Sequence, residues 1–200
     1  MGKIILVRHG ETDWNRELRI QGGSSDTPLN EKGRRQAEDL ALRLNRDRIQ
    51  AVYSSPLKRA LETAETIARY HQLGVVAEPS LREIEAGTLE GVTTGELGKR
   101  FSEVLTQDGV SKKIPGGESL AELQQRCWGA IQHLSQKHTD CDLVVVSHYF
   151  TILSIICSAL KLPLSRITRL RLSTGSISVI NLDGKEARLE LFNDTGCLTK

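Results

Sequence analysis

The sequence predicts an α/β protein, a three-layer α/β/α sandwich around a largely parallel, mixed central sheet. Three observations carry that prediction. Continuous apolar runs at residues 4–7 ("IILV") and inside "DLVVVS" (residues 142–147) read as strands buried on both faces. Segments with apolar residues at helical spacing alternate with such runs, as the crossovers between parallel strands require. The C-terminal segments, by contrast, alternate residue by residue, which adds antiparallel members to the sheet.

Each element follows from its own residues. The strand at 4–7 ends at Arg8-His9-Gly10. A polar loop rich in Gly, Ser and Asp (22–26) leads into a helix within "PLNEKGRRQAEDLALRLNR". Asn30 can cap it, and Ala37, Leu40, Ala41 and Leu44 form one face. "AVYSS" (51–55) is a short strand closed by Pro56. The helix after it carries Leu57, Leu61, Ala64 and Ala68 on one side, and "VVAE" supplies a further short strand. Residues 83–98 exchange apolar stripes for Gly, Thr and Glu, an irregular segment passing into a short helix, and 112–117 form a loop. A long helix over 119–137 shows Leu120, Leu123, Cys127, Ile131 and Leu134 as its stripe. The strand at 142–147 repeats the design of the first, with His148 at its exit, and a helix over 150–160 follows. Residues 167–172, 176–182 and 187–192 read as strands, and Asp183-Gly184 marks the hairpin turn between the last two.

The 200 residues fit one domain, residues 1–200, with a sizeable core. Net charge is +2 with no block of like charge, so neither nucleic acid nor a membrane surface is an expected partner. The longest apolar run, near residues 151–156, is too short to span a bilayer, and the N-terminal run is broken by Arg8, unlike a signal peptide. A cytoplasmic location is expected. Cys127, Cys141, Cys157 and Cys197 follow no metal-ligand spacing and read as reduced thiols. The final hairpin could expose an edge strand that a second copy of the chain pairs with as a homodimer, although such edges are often simply left short or covered.

Ligand sites of such sheets gather outside the carboxyl ends of the strands. Arg8-His9 and His148 stand at two of those ends. A lone histidine there can equally be a strand cap or a core residue. An arginine closing a buried run, however, needs an anionic partner, and Gly10 permits close approach of a ligand. Together they describe an anion pocket holding a potential nucleophile. Arg59 alone could be a surface arginine paired with Glu62 or Glu65, but it opens a helix directly after "YSSP", which is another strand exit.

"VRHGETDWN" resembles the signature of the histidine phosphatase superfamily, the phosphoglycerate mutase-like fold, and the likeness runs through the chain. After Arg8-His9-Gly10-Glu11-Thr12 come Asn15, Gln21-Gly22, Asp26-Thr27-Pro28-Leu29, Gly33, Gln36-Ala37, then Ser54-Ser55-Pro56 with Arg59. "LREIEAGTLEG" places Glu83 and Gly87, and "VVVSH" ends at His148. The resemblance implies that His9 attacks phosphorus to form a phosphohistidine. It implies that Arg8, Arg59 and His148 hold the phosphoryl oxygens, and that Glu83 is the proton donor, with Glu85 its competitor in the sequence. Asn15, Gln21, Gly22 and the N–H of Tyr149 would contact substrate, and no metal or cofactor is implied. Glu90 would support the loop before Gly91.

Two positions depart from the family pattern. Small residues usually follow the second histidine, and Tyr149 and Phe150 stand there, either narrowing the entrance or packing the helix on the sheet. Leu89 replaces a frequent aromatic. The implied function is a metal-independent phosphomonoesterase acting on a small phosphorylated metabolite. Relatives act on α-ribazole phosphate, phosphoserine, phosphoglycerates and sugar bisphosphates. A cofactor-dependent phosphoglycerate mutase is the alternative, although such mutases carry an extra basic segment where only a short one separates Gly91 from Gly116-Gly117. A non-catalytic phosphoryl-binding module would have no use for Glu83. Lys99, Arg100, Lys112 and Lys113 could meet a second acidic group on the substrate or stay solvated.

Overall fold

A computed structural model describes residues 2–96, 109–183 and 186–199. The chain runs β1 (Lys3–Arg8), α1 (Asp13–Arg16), α2 (Glu31–Leu44), β2 (Ile49–Ser54), α3 (Lys58–Tyr70), β3 (Val75–Ala77), α4 (Leu120–Lys137), β4 (Asp142–Ser147), α5 (Tyr149–Ala159), β5 (Ile177–Asp183) and β6 (Glu186–Asp194). Short 3-10 turns lie at Pro79–Leu81, Gly87–Leu89 and Gly109–Ser111, and a longer one at Leu164–Arg169. The strands form one sheet in the order β3-β2-β4-β1-β5-β6. β3, β2, β4 and β1 are parallel, β5 pairs antiparallel with β1, and β6 pairs antiparallel with β5. The expected mixed sheet is therefore present.

Helices cover both faces, which explains why the central strands are continuously apolar. Ile5 and Val7 of β1, with Val144 and Val146 of β4, pack against Leu40, Ala41 and Leu44 of α2 and Ala60, Ala64 and Ile67 of α3. Ile4, Leu6, Leu143 and Val145 point the other way, toward Leu123, Cys127 and Ile131 of α4 and Ile152 and Ile155 of α5. The period-2 side-chain alternation of a strand feeds both layers at once. Among the described residues no helix is long and apolar enough to cross a membrane. All four cysteines are free thiols, with Cys127 and Cys157 buried.

Helix starts follow local chemistry. Asn30 caps α2 by accepting from Gly33 N–H at 2.8 Å. Ser119 and Glu122 form a reciprocal capping box at α4. Thr12 and Asn15 do the same for α1, a single turn that periodicity does not reveal. The expected strand at 167–172 is corrected: residues 164–169 are 3-10, entered after Pro163, and Leu164 and Ile167 are buried at the i, i+3 spacing of that helix. Only from Leu170 does the backbone become extended. The closing hairpin pairs Asp183 with Glu186, although Gly184 of the expected turn lies outside the described residues. Residues 94–96 are helical, as expected after the irregular segment, and residues 97 and 98 of the expected stretch lie outside the described residues.

Gly10 is also corrected. Its missing side chain faces α2 rather than a ligand: a Cβ there would collide with Gly33 O, and one at Gly33 would collide with Glu11 O. Two glycines let the loop after β1 lie directly against the first turn of α2.

Candidate active site

The site begins where three parallel strands end side by side. β1 and β4 are adjacent, with Arg8 opposite Ser147, so His9 and His148 leave the sheet at the same level. Their ring centroids are 5.1 Å apart, tilted by 57°. His9 is almost wholly buried, and its Nδ1 lies 2.7 Å from Gly10 O. A carbonyl can only accept, so Nδ1 carries the proton and Nε2 keeps its lone pair. Burial, reinforced by the Arg59 and Arg8 guanidinium groups, holds the imidazole well below the usual histidine value. Neutral His9 therefore presents an unprotonated nitrogen. His148 is fully buried, and burial with Arg59, His9 and Arg8 lowers it likewise. Neither of its ring nitrogens has a hydrogen-bond partner among the described residues.

Two guanidinium groups flank the rings. Arg8 Nη1 donates to Leu172 O, and its Cζ sits 5.1 Å from the centre of the Tyr149 ring. Arg59, wholly buried, donates through Nη1 to Ser25 O at 2.6 Å and through Nη2 to Gly22 O at 3.1 Å. Neither Glu62 nor Glu65 pairs with it. Each Nε is buried with no partner among the described residues. Burial pushes both groups down to about 10, so both remain cations at neutral pH.

Glu83, which also lines the cavity, completes the set. Its carboxyl is buried and receives N–H bonds from Ile84 (2.9 Å), Phe150 (3.1 Å) and Thr151 (3.2 Å). Burial raises its pKa above the ordinary carboxylate value, against those bonds and the nearby Arg59 and Arg8. Glu85 instead pairs with Arg82 at 3.0 Å and accepts from Ser24 Oγ at 2.9 Å. A cavity of about 830 Å³ is bounded by Arg8, His9, Arg59, Glu83, Tyr149 and Phe150, among others. It can seat an anion between cations, beside an unprotonated imidazole and a carboxyl group that retains its proton unusually well.

The sequence model of the histidine phosphatase superfamily (branch 1) matches residues 4–195. The chain belongs to the histidine phosphatase superfamily. It is 35% identical over 198 residues to phosphoserine phosphatase 1 of Hydrogenobacter thermophilus, covering 98% of this chain and 93% of that one. It is 39% identical over 203 residues to phosphoglycerate mutase-like protein 4 of Arabidopsis thaliana, covering 98% and 86%. The fold matches a mutant phosphoserine phosphatase from Entamoeba histolytica in complex with phosphoserine, with a TM-score of 0.89, 29% identity and full coverage of both chains. The protein is a histidine phosphatase in fold, sequence and enzyme class.

Within this histidine phosphatase the remaining expected residues take different places. Asn15 and Gln21 line the cavity. Asn15 Oδ1 is engaged by Thr12 N–H and Oγ1, both at 3.1 Å, so donation into the cavity would come from Nδ2. Gln21 Oε1 accepts from Thr27 Oγ1 at 2.6 Å and is the second acceptor within reach of the single Thr12 hydroxyl proton, and its Nε2 is buried with no partner among the described residues. Gly22 is not in the wall; it stands behind, its carbonyl holding Arg59. Glu90 accepts from Ser24 N–H at 3.1 Å, tying the 22–26 loop. Tyr149 and Phe150 serve both readings, lining the cavity while packing on the core of the α4–α5 layer. Lys113 pairs with Glu122 at 2.7 Å, and Lys99 and Arg100 lie outside the described residues. Sequence reasoning missed Arg171, Ser173 and Thr174, which reach the cavity from the segment before β5. Their one signal is position, just upstream of the strand that pairs with β1.

Proposed function

We propose that this histidine phosphatase hydrolyses a small phosphate monoester through a phosphohistidine on His9, without a metal ion or cofactor. His9 Nε2 forms a bond to phosphorus as the ester P–O bond breaks, and the departing alkoxide takes the proton of Glu83. Water then attacks the phosphohistidine. Its proton passes to the Glu83 carboxylate, the P–N bond breaks, and phosphate leaves with both groups restored. Arg8, Arg59 and His148 hold the three non-bridging oxygens and the charge that builds on them. Asn15 and Gln21 contribute neutral N–H donors, and Tyr149 borders the leaving group.

The observation that carries this reading is the Nδ1–Gly10 bond, because it fixes the one tautomer in which Nε2 is nucleophilic. The buried Nε groups of Arg8 and Arg59 and the ring nitrogens of His148, without partners among the described residues, support phosphoryl binding. A buried donor left unsatisfied costs about 1–3 kcal/mol, which an oxyanion would offset. The phosphoserine bound to the Entamoeba relative supports a small polar ester as substrate.

The test is leaving-group dependence. Glu83→Gln should slow alkyl phosphate hydrolysis by about 10²–10⁴-fold, the usual contribution of a general acid, and aryl phosphates by far less. Equal losses on both would remove Glu83 from that role. A phosphate-release screen over phosphorylated metabolites in excess chelator decides the rest. Activity abolished by chelator refutes the metal-free route, and phosphoglycerate interconversion outpacing release makes the enzyme a mutase.

A further inference from the structure

Helix α5 starts without a side-chain cap of its own, since His148 at the N-cap position makes no such bond. Its second and third N–H groups, from Phe150 and Thr151, are directed instead at Glu83. The bonds to that carboxyl are shared unequally. Oε1 faces the N–H of Ile84 at 2.9 Å, the N–H of Thr151 at 3.2 Å and the Thr151 hydroxyl at 3.2 Å. Oε2 faces the Phe150 N–H at 3.1 Å. An oxygen already met by two fixed N–H groups and a hydroxyl is the poorer place for an acidic proton, so the proton of Glu83 belongs on Oε2.

The Thr151 hydroxyl has one proton and two acceptors within reach. One is Glu83 Oε1, and the other is Arg82 O at 2.9 Å. Arg82 O also accepts from Arg126 Nη1 at 2.8 Å, so it stays satisfied when the hydroxyl turns away. Thr151 is fully buried, and water cannot substitute for the hydroxyl freely. We propose that Thr151 is a positioning residue for proton transfer, its hydroxyl donating to Oε1 when Glu83 is ionised and to Arg82 O when Glu83 is protonated. This rests on Glu83 being the proton donor, as proposed above. The turn of one hydroxyl lets the same carboxyl serve as acid in the first half-reaction and as base in the second.

The charged and titratable groups acting on Glu83 are Arg8 from β1, Arg59 from α3, Arg126 and Cys127 from α4 and Tyr149 at the start of α5. His9 and His148 share the site. The arginines stay charged, while Cys127 is pushed up to about 12 and Tyr149 is also raised, so both stay neutral over the working range. None of them is altered by replacing Thr151.

Thr151→Val keeps shape and backbone N–H but removes the hydroxyl, and Thr151→Ser returns it. The pH profile of kcat/KM on an alkyl phosphate reads the effect. In Thr151→Val the ionised carboxyl lacks one donor, so the high-pH limb should move upward by about one pH unit. Thr151→Ser should restore it, and Thr151→Ala should shift it as Val does. An unmoved limb, a downward shift or a serine variant that matches valine overturns the proposal. Glu83→Gln in the same assay separates the two levels: if that variant keeps the limb, Glu83 is not the titrating donor and the proposed mechanism fails. If Glu83→Gln abolishes the limb while Thr151→Val leaves it in place, only the role of Thr151 fails.

Discussion

The two histidines make the protein's stability depend on pH in a way that can be worked out from their burial. His9 and His148 are both held well below the ordinary value of 6.5 in the fold. In the unfolded chain they take up protons as pH falls through 6.5, while in the fold they stay neutral. The unfolded state therefore binds more protons, and stability, fully present above 6.5, is lost as pH falls toward the folded values. Each histidine contributes a slope approaching about 1.4 kcal/mol per pH unit, and the pair about 2.7. Glu83 acts with the opposite sign: its raised carboxyl keeps a proton that the unfolded chain has released, so its contribution fades as pH rises through the folded value. His138, lowered by burial and by Lys137, adds to the histidine slope. Comparing the parent with His148→Gln cancels Glu83 and His138, which both proteins retain. Urea midpoints by circular dichroism in phosphate-free buffer, from about pH 8 down to pH 5, should give equal slopes well above pH 6.5 and, below it, a slope in the variant lower by an amount that approaches about 1.4 kcal/mol per unit toward pH 5. Equal slopes below pH 6.5 would mean that His148 takes up its proton in the fold as readily as in the unfolded chain, and the account of its environment would be wrong.

Two further perturbations test the scaffold of the site. Arg59→Lys keeps a cation but cannot hold Ser25 O and Gly22 O while reaching a phosphoryl oxygen. The loss of one charge-assisted bond should lower kcat/KM by about 10–10²-fold, and a value within about threefold of the parent would remove Arg59 from phosphoryl contact. Gly33→Ala drives a Cβ into Glu11 O. It should cost about 1–3 kcal/mol in chemical denaturation, and a neutral result would show that the loop after β1 yields freely.

What the sequence made legible was what it encodes locally. The layers follow from β1 and β4 being apolar without interruption, a pattern that only a sheet covered on both faces can use. The strand expected at 167–172 failed because "RITRLRL" alternates like a strand while Pro163 sets a 3-10 turn that buries Leu164 and Ile167 at a three-residue spacing. Local alternation cannot tell those cases apart. Arg8, His9, Arg59 and His148 were legible because each stands at a strand exit or in the first turn of the helix that follows one. Arg171, Ser173 and Thr174 were not, since they stand in an irregular stretch and reach the cavity only through the pairing of β5 with β1. The use of Thr151 was hidden for a related reason: its hydroxyl matters through a carboxylate 68 residues away in the chain.

The arrangement depends most on strand order. β4 enters the sheet between β2 and β1 although many residues separate it from both in sequence. Arg8 lies opposite Ser147, and Ser54 lies opposite Val146, so three exits reach one edge within a residue of each other. Neighbouring strands run about 4.8 Å apart, and the two histidine rings sit at 5.1 Å. One intervening strand would double that spacing and leave the rings unable to meet a single phosphoryl group. A one-residue slip of register would turn one histidine toward the opposite layer, because successive strand residues face opposite sides. The chemistry of the site is thus written in the pairing of β1 with β4, and the packing of their side chains into the two helical layers depends on the same register as the site does.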